Sequence, residues 1–498
     1  MRPFRLLAAL TALFACLAAL AVAGCGNDSS SSSGLGTVLS YVPKKTPFAV
    51  SIDTDLGSEQ YKSLDTILHR FPGADTIKAL LKAQLSMGQE GVDFDKDIKP
   101  LLGNPAVISA TDVTSFLSDT ADSGFVAALQ VKDKDALDSL VEKTGAKKQG
   151  EVAGATVYQD QDTSFAVNDD VVVLAGSREL LDAALKRADA GDGMSEDEFD
   201  KGLEGLPDDA LARVYVDVQG LLGQSDGAKS ARKIPWVAAL RTLGLTVSAQ
   251  NKSIDVQFNL RTEGDLSDSD LPVASGDAPA QVVQRPDEIG VGLRDPQQLV
   301  TFFESALQAV DPQTFGDYEQ GKRALSAKLD LDIDKDVIAQ LTGNVSVSAT
   351  IAGEFAVRAE VKDEAAFSKT VEKIAKALPQ FGLGKSVTRE GNLFTLHGSD
   401  GGSYSFGVAN GALIVATDAA RARAMALSKP EAVEGASGSL VLRADAEGIA
   451  RQILAQVAPQ FGIPDPVVPV FAKPFDELRG SIVTSTDGMK GKFSLTLD

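Results

Sequence analysis

Phe125-Val126-Ala127-Ala128-Leu129-Gln130-Val131-Lys132-Asp133 returns 230 positions later as Phe355-Ala356-Val357-Arg358-Ala359-Glu360-Val361-Lys362-Asp363. Each stretch is an apolar run of strand length closed by Lys-Asp. A helical spacing of Leu137, Leu140 and Val141 follows the first. The match continues at the same offset through Ala136 with Ala366, and through Val141-Glu142-Lys143 with Val371-Glu372-Lys373. A strand and a helix that recur together without a gap indicate two copies of one module.

Three more blocks recur in the same order. Upstream, Asp93-Phe94-Asp95-Lys96-Asp97-Ile98 parallels Asp332-Ile333-Asp334-Lys335-Asp336-Val337. Downstream, Ser164-Phe165-Ala166-Val167 parallels Ser405-Phe406-Gly407-Val408, and Asp217-Val218-Gln219-Gly220-Leu221 parallels Asp445-Ala446-Glu447-Gly448-Ile449. The first module spans residues 37–262 and the second 288–498. Residues 263–287 are rich in Asp, Ser, Pro and Gly, show no apolar period and read as a linker.

In the first module the alternation predicts strands over 47–53, 106–110, 125–131, 155–159, 163–167, 171–175 and 213–218, with a closing hairpin of 245–249 and 255–259. Helices are predicted over 134–143 and 178–186, and two more between Leu56 and Met87, broken near Pro72-Gly73. Strands joined by short turns, with helices placed irregularly among them, give an α+β fold. Each module is a mainly antiparallel sheet covered by helices.

The chain starts with Met1-Arg2-Pro3-Phe4-Arg5 and then carries no charge from Leu6 to Gly24. A basic start, an apolar stretch and small residues at its end describe a secretory signal over 1–24. Val22-Ala23-Gly24-Cys25 resembles the lipobox of bacterial lipoproteins. That resemblance implies diacylglycerol on Cys25, a cut before it, and a protein held on the outer face of the cell membrane. Two acyl chains suffice for stable anchoring. Residues 25–36, with Ser29 to Ser33 at their centre, read as a flexible tether.

The chain has 498 residues, 48 basic and 69 acidic, for a net charge of −21. Loss of the leader removes Arg2 and Arg5 and makes it −23. Such a charge excludes nucleic acid as a partner, because phosphate binding needs Lys and Arg. Of the two Cys, Cys16 leaves with the leader and Cys25 takes the lipid, so the cores alone stabilise the fold.

Tyr41-Val42-Pro43 leading to Ala49-Val50-Ser51-Ile52-Asp53, then Asp97-Ile98-Lys99-Pro100-Leu101-Leu102-Gly103, and Val157-Tyr158-Gln159-Asp160 carry a wider likeness. With them the chain resembles an uncharacterised lipoprotein family of high-GC Gram-positive bacteria, a domain of unknown function. The resemblance spans most of both modules and implies no activity and no catalytic residue.

The chain has two His, His69 and His397, in non-equivalent places of different modules. His397 precedes Gly398-Ser399-Asp400, and Gly223-Gln224-Ser225-Asp226-Gly227 matches the Gly-x-Ser-x-Gly pattern. A nucleophile elbow must sit directly between strand and helix. The nearest strand ends too early for Ser225, so both serines read as loop residues and no catalytic residue is assigned. Zinc needs about three protein ligands, which these residues do not supply. Asp93-Asp95-Asp97 and Asp330-Asp332-Asp334-Asp336 fail the EF-hand pattern at its sixth and twelfth positions in both copies. They read instead as helix caps. No metal and no cofactor is expected.

Lys229, Arg232, Lys233 and Arg241 surround Trp236 and suggest a basic amphipathic helix. Pro235-Trp236 recurring as Pro474-Phe475 favours core packing of the aromatic. Phe461 to Phe471 is apolar and proline-rich and reads as a packed loop or a hydrophobic lip. The leading functional expectation is a non-enzymatic envelope lipoprotein that binds a protein, lipid or cell-wall partner. A carrier holding a lipid between sheet and helices is the second reading, and an envelope hydrolase the third.

Overall fold

Alternating side chains set the strands, and their partners set the strand order within each unit. The computed structural model describes residues 34–76, 78–79, 82, 92–110, 124–160, 163–224, 226–398, 401–457 and 465–498. The expected leader, Cys25 and most of the expected tether lie outside the described residues. The described chain divides into two compact units. Unit 1 runs to Gln224 and resumes over Arg241–Leu260; unit 2 takes the residues from 226 to Leu240 and Arg261–Leu497.

Unit 1 holds β1 (Phe48–Ile52), β2 (Ala106–Ala110), β3 (Phe125–Gln130), β4 (Lys147–Val152), β5 (Ala155–Asp160), β6 (Thr163–Asn168), β7 (Val171–Ala175), β8 (Ala212–Asp217), β9 (Leu240–Gln250) and β10 (Ser253–Thr262). The sheet runs β4-β5-β6-β7-β3-β2-β1-β8-β9, antiparallel throughout. β10 pairs with β9 across the Asn251-Lys252 turn. The helices are α1 (Leu35–Leu39), α2 (Glu59–Leu68), α3 (Lys134–Thr144), α4 (Arg178–Ala190), α5 (Glu196–Gly202) and α6 (Val218–Gln224). One core joins Leu35, Val38 and Leu39 of α1 to Val107, Val126 and Val173 of the sheet and to Leu181 and Phe199 of α4 and α5.

Leu35 is 3% exposed and Leu39 fully buried, so residues 35 and 36, expected in the tether, belong to α1. Burying these side chains stabilises by about 1.5–3 kcal/mol each, set against about 1–2 kcal/mol per residue for fixing the backbone.

Unit 2 holds α7 (Asp226–Ala231), α8 (Pro235–Ala239), α9 (Pro296–Val310), α10 (Pro312–Leu329), α11 (Glu364–Ala377), α12 (Ala419–Leu427), α13 (Ala446–Val457) and α14 (Val468–Ala472). Its strands are β11 (Gln281–Val282), β12 (Ile289–Arg294), β13 (Leu341–Ala349), β14 (Phe355–Val361), β15 (Ser386–Glu390), β16 (Leu393–His397), β17 (Ser403–Ala409), β18 (Ala412–Ala416), β19 (Glu431–Ala432), β20 (Leu440–Asp445), β21 (Phe475–Ser485) and β22 (Gly488–Leu497). The antiparallel order is β15-β16-β17-β18-β14-β13-β12-β20-β21-β22. The expected α+β class, helices with antiparallel sheet, holds for the chain.

Residues 263–287 are not a free linker. Leu271, Ala280, Val282 and Val283 are buried, and β11 pairs with β19 over one face of unit 2. Ser346 fastens this strap. Its hydroxyl donates to the Gln281 carbonyl at 2.9 Å and accepts from the Val283 N–H at 3.0 Å. Gly290 and Gly292 let the strap lie close: a Cβ on Gly292 would stand 2.4 Å from the Gln281 carbonyl oxygen. Residues 226–240, expected within the first module, belong to unit 2.

Candidate functional site

On β12, Ile289, Val291 and Leu293 point to one face and Gly290 and Gly292 to the other. Register carries the first set across the sheet. Val291 stands opposite Val347 and Leu442, Val347 opposite Val357, and Val357 opposite Val415. The next rung holds Leu293, Val345, Leu440 and Ile482. Over this face, α9 packs on β13 and α13 packs on β21. Leu299, Phe302, Phe303, Ala306 and Val310 give α9 its apolar stripe.

Two apolar layers in contact ought to dry each other. Here the sheet residues stay half-buried, and no residue of α9 is buried. Leu299 is 46% exposed and Phe303 52%; Ile453 of α13 and Val470 of α14 are similarly open. The sheet face and the helices over it are thus only half-dried, although Phe303 also packs edge-on against Tyr318 of α10. In unit 1, by contrast, every residue of β7 is buried and β3 is buried from Phe125 to Leu129. Phe125 and Val131 are core residues, whereas their sequence counterparts Phe355 and Val361 are only half-buried.

Unit 1 carries a cleft of about 410 Å³ beside Asp53, Asp55, Glu59, Asp208, Asp209 and Arg213. Asp53 accepts the Asp55 N–H at 2.8 Å and the Ser58 hydroxyl at 2.7 Å. Burial pushes its carboxyl above the usual range against these hydrogen bonds, and the nearby Asp55 and Asp209 add to the push. Sequence reasoning passed over this cluster; the adjacent Asp208-Asp209 was its one signal. In unit 2 a charged cleft of about 610 Å³ lies beside Lys429, Glu431, Arg443, Asp445, Asp476 and Glu477. Arg443 ion-pairs with Glu477 there.

The residues singled out in the sequence do not converge. His69 caps α2 at its C-terminal end, with Nδ1 2.7 Å from the Asp65 carbonyl and Nε2 3.3 Å from Lys78 Nζ. His397 pairs with the Thr388 hydroxyl at 3.0 Å, a diagonal contact between β15 and β16. Ser225, Ser399 and Asp400 lie outside the described residues. Gly223 falls at the end of α6 rather than between strand and helix, which removes the elbow geometry.

The acidic clusters cap single helical turns. Asp93 accepts the Lys96 N–H at 3.0 Å, while Asp97 takes the Asp93 N–H at 2.7 Å and Lys143 Nζ at 2.6 Å. Desolvation works upward on Asp97, but that N–H and Lys143 hold its carboxyl below the usual range. Asp332 likewise accepts the Lys335 N–H, and its own N–H donates to Asp336 at 2.8 Å. Asp334 pairs with Lys322, and Asp330 with Lys373.

Trp236 is 6% exposed, as core packing requires. Of the segment 461–471, residues 461–464 lie outside the described residues, while Val468 is buried and Val470 exposed.

A profile described as a protein of unknown function, DUF3352, matches residues 6–390. The chain belongs to the DUF3352 family. No curated protein matches this DUF3352 chain. Among solved structures, crystal forms III, IV and I of TP0453 are similar to it at 11%, 11% and 14% identity. Each match covers 46% of this chain and 80%, 83% and 79% of the other, with a TM-score of 0.26. No helix among the described residues is long and apolar enough to cross a membrane.

Proposed function

We propose that this chain is a non-enzymatic, lipid-anchored protein of the bacterial cell envelope that carries an apolar ligand, a lipid above all, between the sheet and helices of unit 2. The half-wet row Val291, Val345, Val347, Val357 and Leu442 beneath α9 carries this reading. Apolar surface left in contact with water costs about 25 cal/mol per Å², and a ligand that covers this face recovers it. Anchoring through Cys25 rests on the leader and the Val22-Ala23-Gly24-Cys25 sequence; kinship with lipoproteins of high-GC Gram-positive type rests on the likeness over Tyr41 to Asp53, Asp97 to Gly103 and Val157 to Asp160. The family match opens at residue 6, inside the apolar stretch.

The chain is further read as two tandem copies of one module. Two features support this: the sheets of the two units share one strand order, and the repeated Asp residues play the same parts. Asp133 and Asp363 each cap a helix at 3.0 Å, and Asp217 and Asp445 accept the Gly220 and Gly448 N–H groups at 2.8 and 3.0 Å.

A scaffold that binds a protein or cell-wall partner is the second reading. The exposed Leu383, Tyr404 and Leu427 of unit 2 favour it.

Two assays test the proposal. Palmitate labelling should mark the wild type and not Cys25→Ser. A fluorescent acyl probe titrated into the protein should bind saturably, and Val347→Asp should weaken binding while the melt persists. A flat wild-type titration contradicts the carrier reading.

A further inference from the structure

The basic segment around Trp236 borders a cavity that it shares with Phe302 and Ala306 of the α9 stripe. Unit 2 contains a cavity of about 290 Å³ between the start of α8 and the C-terminal half of α9. Ile234, Phe302, Ala306 and Ala309 are its half-buried apolar lining. Lys233, Ser269, Ser305 and Gln308 line it as well and are exposed, so the polar groups form its rim. The volume is at the lower end of small-molecule sites, about 300–1,000 Å³.

The rim has a definite charge character. Asp270 is committed: its carboxylate accepts the Ser267 N–H at 2.9 Å and the Ser267 hydroxyl at 2.6 Å, and these bonds hold it below the usual range. Lys233 forms no ion pair among the described residues, although its charge is felt at Asp311. One ammonium, the ionised Asp270 carboxylate and three neutral polar side chains therefore ring an apolar floor. Lys233 is the one rim group that can pair with a carboxylate or phosphate, and hydrocarbon fits the floor.

We propose that this cavity receives the end of one acyl chain whose anionic head is held by Lys233. The inference rests on the carrier reading and adds to it a second pocket, off the sheet face, with its ligand class. A free fatty acid and a lysophospholipid share the chemistry.

Trp236 supplies the readout, because it is the chain's one tryptophan and adjoins Pro235 of the lining. The full chain with Cys25→Ser is titrated with bromine-labelled stearate, bromine-labelled lysophosphatidylglycerol and a bromine-labelled fatty alcohol. Saturable quenching of Trp236 by one or both anionic probes is expected, and their relative affinity identifies the source. Lys233→Gln should weaken the anionic probes roughly ten- to a hundredfold and leave the alcohol unchanged, the size of one lost charge-assisted hydrogen bond. Ala306→Phe should fill the floor and abolish quenching by all three.

Absence of quenching in the wild type overturns the proposal, and so does an unchanged Lys233→Gln titration. If Ala306→Phe loses its cooperative melt, the Lys233→Gln comparison decides. Retained probe binding without Trp236 quenching refutes this site while leaving the carrier reading intact.

Discussion

Replacing Gly292 by Ala attacks the strap that covers unit 2. The new Cβ would sit 2.4 Å from the Gln281 carbonyl oxygen and 2.9 Å from its carbonyl carbon, both backbone atoms that no rotamer change can move. If the strap shifts only slightly, the cost is that of overpacking, about 1–3 kcal/mol. If it detaches, Val282 and Val283 lose burial worth about 1.5–3 kcal/mol each. The two Ser346 hydrogen bonds go with them, at about 1 kcal/mol apiece. The expected loss thus lies between about 1 and 8 kcal/mol, confined to unit 2. Thermal unfolding should show one transition displaced downward. Hydrogen exchange should show faster exchange at Val283 and its neighbours, with β3 and β7 of unit 1 unchanged. A melt within error of wild type, with Val283 still protected, would refute the close packing of the strap.

Three other outcomes follow from the same geometry. Asp53 has a raised carboxyl pKa, so the folded state favours its protonated form; that stability is present below the unfolded value near 4 and is lost as pH rises through the folded one. Asp53→Asn should therefore raise the melting temperature at pH 7, and a gap that persists unchanged at pH 3 would exclude the burial argument. Gly316 lies inside α10 with open space around its Cβ, so Gly316→Ala should stabilise unit 2 by about 0.5–1 kcal/mol in denaturant titrations. A chain cut at Ser275 should not give two independently melting halves, because 226–240 would leave with the wrong fragment; two cooperative melts matching the intact protein would show those residues to be dispensable.

Strands were legible wherever alternation was strong. The expected 106–110, 163–167 and 171–175 agree with β2, β6 and β7 to within a residue. β4 was missed because Lys147-Lys148-Gln149-Gly150-Glu151 is polar: it is an exposed edge strand with no face to dry. The strap was misread because Asp, Ser and Pro over 263–279 mask a few buried apolar residues, and two-residue pairing leaves no period to detect. The placement of 226–240 in unit 2 is a tertiary choice that no local pattern encodes. The acidic caps were legible because Asp before a turn has one strong use. The half-burial of the unit 2 sheet face was not: alternating valines read the same whether or not the helices above them dry the face.

Native mass spectrometry of the full chain with Cys25→Ser, exported and purified without detergent, tests the carrier reading most directly. The expected spectrum is the polypeptide mass plus bound lipid, with less lipid retained when Val347→Asp is introduced. A spectrum of bare polypeptide, from protein whose two units both melt cooperatively, would contradict it.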